Sequence, residues 1–222
     1  MTQAKLDTYL QALARPAPTA DPAPRTINPQ RREAILAVAQ QVFLESGYEG
    51  ASMSQIAVRL GGSKGTLYSY FDSKEALFQA LIAETCAQRR DAIFDTAPDL
   101  ALRDALLAIG SAYIRLVMSD YTVRMLQIIA AEAQRWPALG AQLYESGPAA
   151  ATARLSEQLA TDAANAGLAI ADSFAAAQTF LTLCRGGLHL QRILGIAPEP
   201  DAETAERLAN QAVAAFWKIY TV

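Results

Sequence analysis

Lysine, glycine, serine and tyrosine crowd one short stretch of the chain, GGSKGTLYSYF, which runs from Gly61 to Phe71. An ammonium group such as that of Lys64 donates hydrogen bonds to guanine O6 or N7 or to a phosphate, and a tyrosine hydroxyl reaches phosphates across a groove. Gly65 has no side chain, so its backbone comes close to base edges. Residues of these types predict hydrogen bonding to the bases and phosphates of DNA.

Two short helices are predicted around the glycines of this stretch. Ser52 and Gln55 form a capping box that starts the first helix, and the pair of glycines at 61 and 62 ends it. Ser63 is placed to cap a second helix over 64–71. Two short helices joined by a tight glycine turn are typical of a helix-turn-helix.

The second of these helices has two unlike faces. Leu67 and Phe71 lie four residues apart and share the side that packs on the first helix. The opposite side carries small, polar and aromatic residues: Lys64, Gly65, Thr66, Tyr68 and Ser69. Such a face suits the floor of the major groove.

Lys74 lies in the first turn of the next predicted helix, which Ser73 caps. Free backbone N–H groups and the helix dipole favour an anion at that position. A solvated surface lysine explains Lys74 equally well when it is taken alone. Together with the neighbouring residues, Lys74 is predicted to contact phosphate.

Composition predicts an all-α fold. The chain has 222 residues, of which 52% are apolar, and alanine and leucine, both strong helix formers, are abundant. Four prolines between Arg15 and Arg25 predict a flexible N-terminal arm over 1–27. We expect a three-helix helix-turn-helix DNA-binding domain over 28–73 and a larger helical ligand-binding and dimerisation domain over 74–222.

Apolar periodicity and end signals locate the helices. Asn28 and Pro29 start a helix that Gly47 ends. In the body, helices are predicted over 74–95, 99–119, 121–135, about 148–166, 171–194 and 201–219.

The net charge of −3 is unevenly distributed. Residues 25–75 carry six basic and five acidic groups, whereas residues 76–222 carry eleven basic and fifteen acidic groups. Any anion-binding face is therefore expected in the first third of the chain.

Several classes of protein are disfavoured by what the sequence holds. A single histidine and the lack of a metal-spaced set leave little for catalysis, so we expect no enzyme, no cofactor and no metal site. Cys86 and Cys184 are interpreted as buried reduced thiols, with a disulfide as the alternative. No signal peptide or membrane span is recognisable, which predicts a cytoplasmic protein without a membrane partner.

One segment closely resembles the DNA-binding region of the TetR/AcrR family of bacterial transcriptional regulators: AILAVAQQVFLESGYEGASMSQIAVRLGGSKGTLYSYFDSKEALFQALI, from Ala34 to Ile82. Its run S-K-G-T-L-Y-x-Y-F-x-S-K-E-x-L-F is a specific signature of that family. More loosely, IIAAEAQRWPALGAQLYESGPAAATARL resembles the regulatory domain of AefR-like members. The resemblance implies a ligand-responsive regulator, typically a repressor, that binds a palindromic operator as a dimer and is released by a small apolar or amphipathic effector.

The resemblance also implies roles for single positions. It makes Lys64 and Gly65 base contacts, and Ser52 and Ser63 assist at the helix starts. Phosphate contacts fall to four further residues: Tyr68, Ser69, Tyr70 and Lys74. Thr66 flanks the same face and completes the predicted DNA-binding set.

One position departs from the family pattern. Members usually carry an aliphatic residue in the turn where this chain has Gly62. Loss of that side chain removes a small core contact and adds backbone freedom. A looser helix-turn-helix in the absence of DNA is therefore predicted.

The last two long helices are the candidates for a dimer interface, because the resemblance implies a four-helix interface there. The predicted interface residues are Phe180, Leu183, Leu188, Leu208, Phe216 and Trp217. The alternative is that both helices only line the core of the protomer.

Aromatic residues and methionines of the body are the candidates for an effector pocket. They are Tyr113, Met118, Tyr121, Met125, Trp136, Tyr144, Phe174 and Phe180. Each is also consistent with plain core packing. His189 is assigned to the interface rather than to a ligand, and no clustered basic stripe indicates an anionic effector. A helical scaffold or adaptor without sequence-specific DNA binding is the alternative function.

Overall fold

The computed structural model describes residues 28–95 and 100–221, and the arm predicted over 1–27 lies outside them. The α-helices of the described residues, in chain order, are α1 Pro29–Gly50, α2 Met53–Arg59, α3 Lys64–Tyr68, α4 Lys74–Phe94, α5 Leu102–Val117, α6 Asp120–Glu132, α7 Pro137–Tyr144, α8 Ala150–Asp162, α9 Ser173–Ile193 and α10 Ala202–Tyr220. A π-helical segment, Glu145–Ala149, joins α7 to α8. These elements confirm the predicted all-α fold.

Side-chain caps start α1, α2 and α4 at the predicted residues. Asn28 accepts from Gln30 and Arg31 N–H ahead of α1, Ser52 from Gln55 N–H ahead of α2, and Ser73 from Ala76 N–H ahead of α4. Each cap satisfies a backbone donor that the helix leaves unpaired. Near the other end of α1, Gly47, the residue predicted to end this helix, leaves the helical conformation with φ 70° and kinks the helix three residues before its end at Gly50.

A Schellman motif ends α2. Gly61 takes φ 65°, its N–H donates to Val58 O at 3.1 Å, and the N–H of Gly62 donates to Ala57 O at 3.1 Å. Only glycine adopts this left-handed turn without strain. The chain therefore reverses tightly between α2 and α3.

Two helices, α3 and α7, differ from the predictions made from the sequence. Helix α3 ends at Tyr68, so it is shorter than the predicted 64–71. Helix α7 was not predicted, although Pro137 stands in the first turn, where a missing N–H costs nothing. Pro148 lies inside the π-helical segment and removes a backbone donor there.

Two clusters of buried apolar side chains form the core. One joins α5, α8, α9 and α10, and Phe180 and Phe216 meet edge to face in it at 5.5 Å. The other fills the three-helix head and includes side chains of the body: Met125, Ile128 and Ile129 on α6 and Leu139 on α7. The head is therefore packed directly on α6 and α7, and the domain boundary at 73/74 stays a prediction.

Helix α9 is bent at Gly186, whose φ of 46° and ψ of −160° are not helical. A side chain disfavours this conformation, so glycine is needed at the bend. Two residues of α9, Arg185 and His189, flank the bend.

Within residues 28–95 and 100–221, no helix has both the length and the apolarity that crossing a membrane requires.

Candidate nucleic-acid interface and ligand cavity

Apolar packing against the rest of the head holds α3 in place. Leu67 is fully buried and Phe71 is 5% exposed, so one side of α3 is buried in the head as predicted. Ser63 caps α3 by accepting from Thr66 N–H at 3.1 Å, and its hydroxyl lies 3.0 Å from that of Thr66. A helix of five residues is thus fixed by its cap and by its apolar side.

The other side of α3 faces solvent. Four predicted DNA-contacting residues are exposed: Ser63, Lys64, Gly65 and Ser69. The Tyr68 side chain is also exposed, at 47%, whereas Thr66 and Tyr70 are half-buried. Ser52 is half-buried too, and its hydroxyl caps α2 and donates to Gln55 Oε1 at 3.0 Å. These residues form one polar surface around α3, and their contacts with DNA stay predictions.

Lys74 is engaged within the head. Its ammonium nitrogen donates to Tyr48 O at 2.9 Å and to Ala51 O at 3.2 Å, and it lies 4.2 Å from the centre of the Tyr48 ring. These contacts tie α4 to the turn between α1 and α2. Sequence reasoning did not foresee this structural role, and the predicted phosphate contact of Lys74 stays a prediction.

The place beside Gly62 is filled by Arg31. A Cβ built on Gly62 would lie 3.0 Å from Arg31 Nη2. The guanidinium of an α1 residue therefore covers the turn at the position where the sequence departs from the pattern of the family that it resembles. Gly62 itself has no positive φ, so its backbone does not require glycine.

Three acidic groups in or next to the head, Glu45, Glu49 and Glu75, have partners away from α3. Glu45 pairs with Arg59, and Glu49 pairs with Arg135 of the body at 2.5 Å. The hydrogen bond from Arg59 lowers the pKa of Glu45. Glu75 accepts from the Tyr48 hydroxyl at 2.9 Å. Lys64 forms no ion pair with any residue that the structure describes, so its charge is available to an external anion.

A cavity of about 240 Å³ lies in the body, lined by residues of α4 to α9 and of the π-helical segment. Most of its wall is apolar, including Ile82, Leu116, Met125, Leu126 and Ile129. The polar residues of the wall are Thr85, Arg89, Arg90, Thr122, Arg185 and His189. An apolar space with a few polar groups is typical of a site for an organic ligand.

The cavity contains three of the eight predicted pocket residues, Tyr113, Tyr121 and Met125. Burial raises the pKa of both tyrosines, which keeps their hydroxyls protonated. The other five residues lie elsewhere. Met118 and Phe180 are fully buried in the body core, Trp136 packs 6.0 Å from Tyr48 at the head, and Tyr144 and Phe174 are exposed. Helical periodicity does not distinguish a cavity wall from a packed core, which explains this difference.

The predicted interface residues differ in how deeply they are buried. Phe180 and Phe216 are fully buried inside the chain and offer no side-chain surface to a partner. The other four are half-buried against the body core: Leu183, Leu188, Leu208 and Trp217. Exposed apolar side chains at the end of α9 were missed: Leu190 is 59% exposed and Leu194 62% exposed.

The two cysteines are free thiols, so the disulfide alternative is not supported. Cys184 is buried in the core, and burial raises its pKa to about 12. Cys86 borders the cavity, and burial raises its pKa as well.

A capped, solvent-facing α3 behind a tight glycine turn defines this molecule as a helix-turn-helix DNA-binding protein with a helical body. Sequence comparison narrows the class. Residues 35–81 match the bacterial regulatory proteins of the tetR family, and residues 104–222 match the AefR-like transcriptional repressor C-terminal domain. The chain belongs to the TetR family of bacterial transcriptional regulators, and its C-terminal domain is AefR-like.

Solved structures agree over nearly the full length. A TetR-family transcriptional regulator from Mesorhizobium loti superposes with a TM-score of 0.81 at 25% identity, covering 89% of this chain and 100% of that one. The flavonoid-responsive regulator FrrA superposes with a TM-score of 0.73 at 34% identity, covering 87% of this chain and 98% of that one.

Sequence similarity to curated relatives is concentrated in the head. The transcriptional repressor AcnR of Corynebacterium diphtheriae is 36% identical over 76 residues, which are 34% of this chain and 40% of AcnR. The chain thus spans two-fifths of the length of that relative. These relatives are transcriptional regulators and not enzymes, and a scaffold function is not supported.

Proposed function

We propose that this chain represses transcription as a homodimer that binds a palindromic operator and leaves it when a small organic molecule occupies the cavity. One observation carries the proposal. Ile82, Met125 and Ile129 belong both to the wall of the cavity and to the apolar core of the head. A ligand that displaces these side chains therefore acts on the same packing that orients α3.

The DNA end of the proposal rests on the exposed face of α3. Lys64 and Gly65 are proposed to contact bases, with phosphate contacts from Tyr68, Ser69 and Tyr70. Lys64 and Gly65, the N-terminal residues of α3, are exposed, as is required of a helix that enters the major groove. In a bacterium this operator DNA is in the cytoplasm, which is the proposed location of the protein.

Dimerisation is supported by the apolar surface at the end of α9. Leu190 and Leu194 lie four residues apart on one side of the helix, and Ile196 follows at 70% exposure. An exposed apolar stripe of this kind favours contact with another protein surface. A second copy there gives two heads, which suits two half-sites about one helical turn apart or a multiple of it.

Effector control is proposed to be a shift between two arrangements of the heads. Helix α4 carries Ile82, Thr85 and Cys86 to the cavity and begins in the head, and α6 carries Tyr121 and Met125 to the same cavity. A ligand shifts operator affinity only by its difference in affinity for the two arrangements. We therefore propose that α4 and α6 transmit ligand binding in the cavity to the DNA-binding head.

An effector of organic character is supported by the wall of the cavity and by one relative. FrrA is named as flavonoid-responsive and is 34% identical to this chain. We propose an organic effector for this chain as well.

The experiment that tests the function is a titration of labelled DNA from upstream of the protein's own gene with the purified full-length chain. The expected result is that one palindromic site is bound more tightly than random DNA by a factor on the order of a thousand or more, as is usual for specific regulators. The affinity should fall as the salt concentration rises from about 50 to about 200 mM. Equal affinity for all sequences, or no binding, would contradict the proposal.

A further inference from the structure

The charged residues that the structure describes in the cavity wall are all of one sign. Arg89 and Arg90 line it from α4 and Arg185 from α9, and none of its described lining residues is an aspartate or a glutamate. The arginines of α4 and α9 are about a hundred residues apart in sequence, so only the fold brings them to one cavity. Three arginines in the wall of a mainly apolar space favour a ligand that carries a negative charge.

Two of these arginines are left without an anionic partner among residues 28–95 and 100–221. Arg90 pairs with Asp91 at 3.3 Å. Arg89 has only a contact with Thr122 Oγ1 at 3.3 Å and a stacking position 3.9 Å from the centre of the Tyr121 ring. Arg185 has only Thr182 Oγ1 at 3.4 Å. Each guanidinium therefore keeps most of its five N–H donors for another acceptor.

His189 adds a neutral hydrogen-bonding group to the same wall. Burial and the neighbouring charge of Arg185 lower the pKa of His189. The imidazole is therefore mainly neutral at pH 7, and the positive charge of the cavity comes from its arginines.

We propose that the effector is an organic anion with an apolar body, whose carboxylate or equivalent acidic group is bound between Arg89 and Arg185. The inference rests on the proposed function, in which this cavity holds the effector. A carboxylate receives strong charge-assisted hydrogen bonds from arginine, and its apolar part fits the wall formed by Leu116, Leu126 and Ile129. An effector in this position also connects α4 to α9.

The size of the cavity limits the body of the ligand. Its volume of about 240 Å³ lies just below the range of about 300–1,000 Å³ that is usual for ligand pockets. A body of one or two rings, or a medium-length alkyl chain, matches this space. Suitable probes are 2-naphthoate and decanoate, each compared with its neutral amide, 2-naphthamide or decanamide.

The test measures the affinity of the full-length protein for the four probes by calorimetry without DNA. We expect at least one acid to bind about tenfold or more tightly than its own amide, since charged hydrogen bonds are strong. We expect Arg89→Gln and Arg185→Gln to remove that preference. Arg207→Gln, on the exposed side of α10, is the matched control and should keep it.

Two results would overturn the proposal. One is that neither acid binds at millimolar concentration, or that the amides bind as tightly as the acids. The other is that acid preference survives in both arginine variants while circular dichroism shows them folded. Because DNA is absent, these results are independent of the operator titration, which tests the proposed function separately.

Discussion

Lys64 and Lys74 are ten residues apart, and both were predicted to contact DNA, yet their ammonium groups have different surroundings. Lys64 is exposed on α3 without an ion pair to the described residues, whereas Lys74 donates to the carbonyls of Tyr48 and Ala51. A sequence motif places both lysines near the operator but does not show which one also holds the head together.

Replacement of Lys74 by methionine is expected to destabilise the protein. The change leaves Tyr48 O and Ala51 O without these donors, and loss of hydrogen bonds to a charged group costs about 1–3 kcal/mol of unfolding free energy. Urea unfolding followed by circular dichroism measures the loss. Lys218→Met, at an exposed position of α10, is the control. Equal stability of the two variants would show that the Lys74 contacts are unimportant for folding.

Gly62→Ala is expected to stabilise the head. Gly62 has no positive φ, and the atom nearest to an added Cβ is the mobile end of the Arg31 side chain, at 3.0 Å. Alanine restricts the unfolded chain, which contributes about 0.4–1 kcal/mol when the native backbone accepts it. The midpoint of thermal unfolding reports the change. A lower midpoint would mean that Arg31 cannot move aside and that glycine is required in the turn.

At the scale of the elements, end signals in the sequence predicted the head well. Asn28, Ser52, Ser63 and Ser73 all cap the helices they were predicted to cap. A cap involves residues only two or three positions apart, so it forms regardless of the tertiary contacts of the helix. The bounds of the body helices were less certain, and α7 was missed because only Pro137 marks its start.

The same distinction applies to the candidate site: some of its features depend on residues close in sequence, and others on residues far apart. The exposed face of α3 follows from a spacing of four residues, which the sequence shows directly. The cavity cannot be predicted from such a spacing, because Arg89 and Arg185 come from helices that are far apart in the chain and line one cavity only after folding. The missed stripe of Leu190 and Leu194 has a local signal, a spacing of four, but nothing in the sequence shows that it is left uncovered.

The bend in α9 gives a prediction with a control in the next residue. Gly186 has φ 46° and ψ −160°, so Gly186→Ala is expected to cost about 1–3 kcal/mol through backbone strain, although a Cβ meets nothing within 4 Å. Gly187 also has free space but no positive φ, so Gly187→Ala should be neutral or stabilising. Urea unfolding of the two variants checks this. Equal stabilities would mean that α9 straightens without cost.

At the scale of the whole molecule, the proposed dimer predicts how a charged surface affects assembly. The double variant Leu190→Glu, Leu194→Glu places two carboxylates on the exposed stripe of α9, where burial of unpaired charge is costly. We expect a monomer in sedimentation velocity at micromolar concentration, whereas the wild type is expected to be a dimer. A double variant Glu203→Gln, Glu206→Gln on the exposed start of α10 controls for changed charge. A double-glutamate variant that remains dimeric would place the interface elsewhere.

The apolar cluster of the head includes side chains of α6 and α7 of the body, so the molecule is expected to transmit an event in the cavity to α3 without an additional element. Ile82, Met125 and Ile129 are the side chains common to both regions. A regulator built this way depends on a single property above all, which is that α3 distinguishes one DNA sequence from others.

That property is measured directly by the ratio of the affinity for the operator to the affinity for random DNA, in the wild type and in Lys64→Ala. Loss of a base contact in each half-site should reduce the ratio about tenfold or more, while Lys218→Ala leaves it unchanged. Folded Lys64→Ala protein with an undiminished ratio, or a wild type whose ratio is near one, would contradict sequence reading by α3.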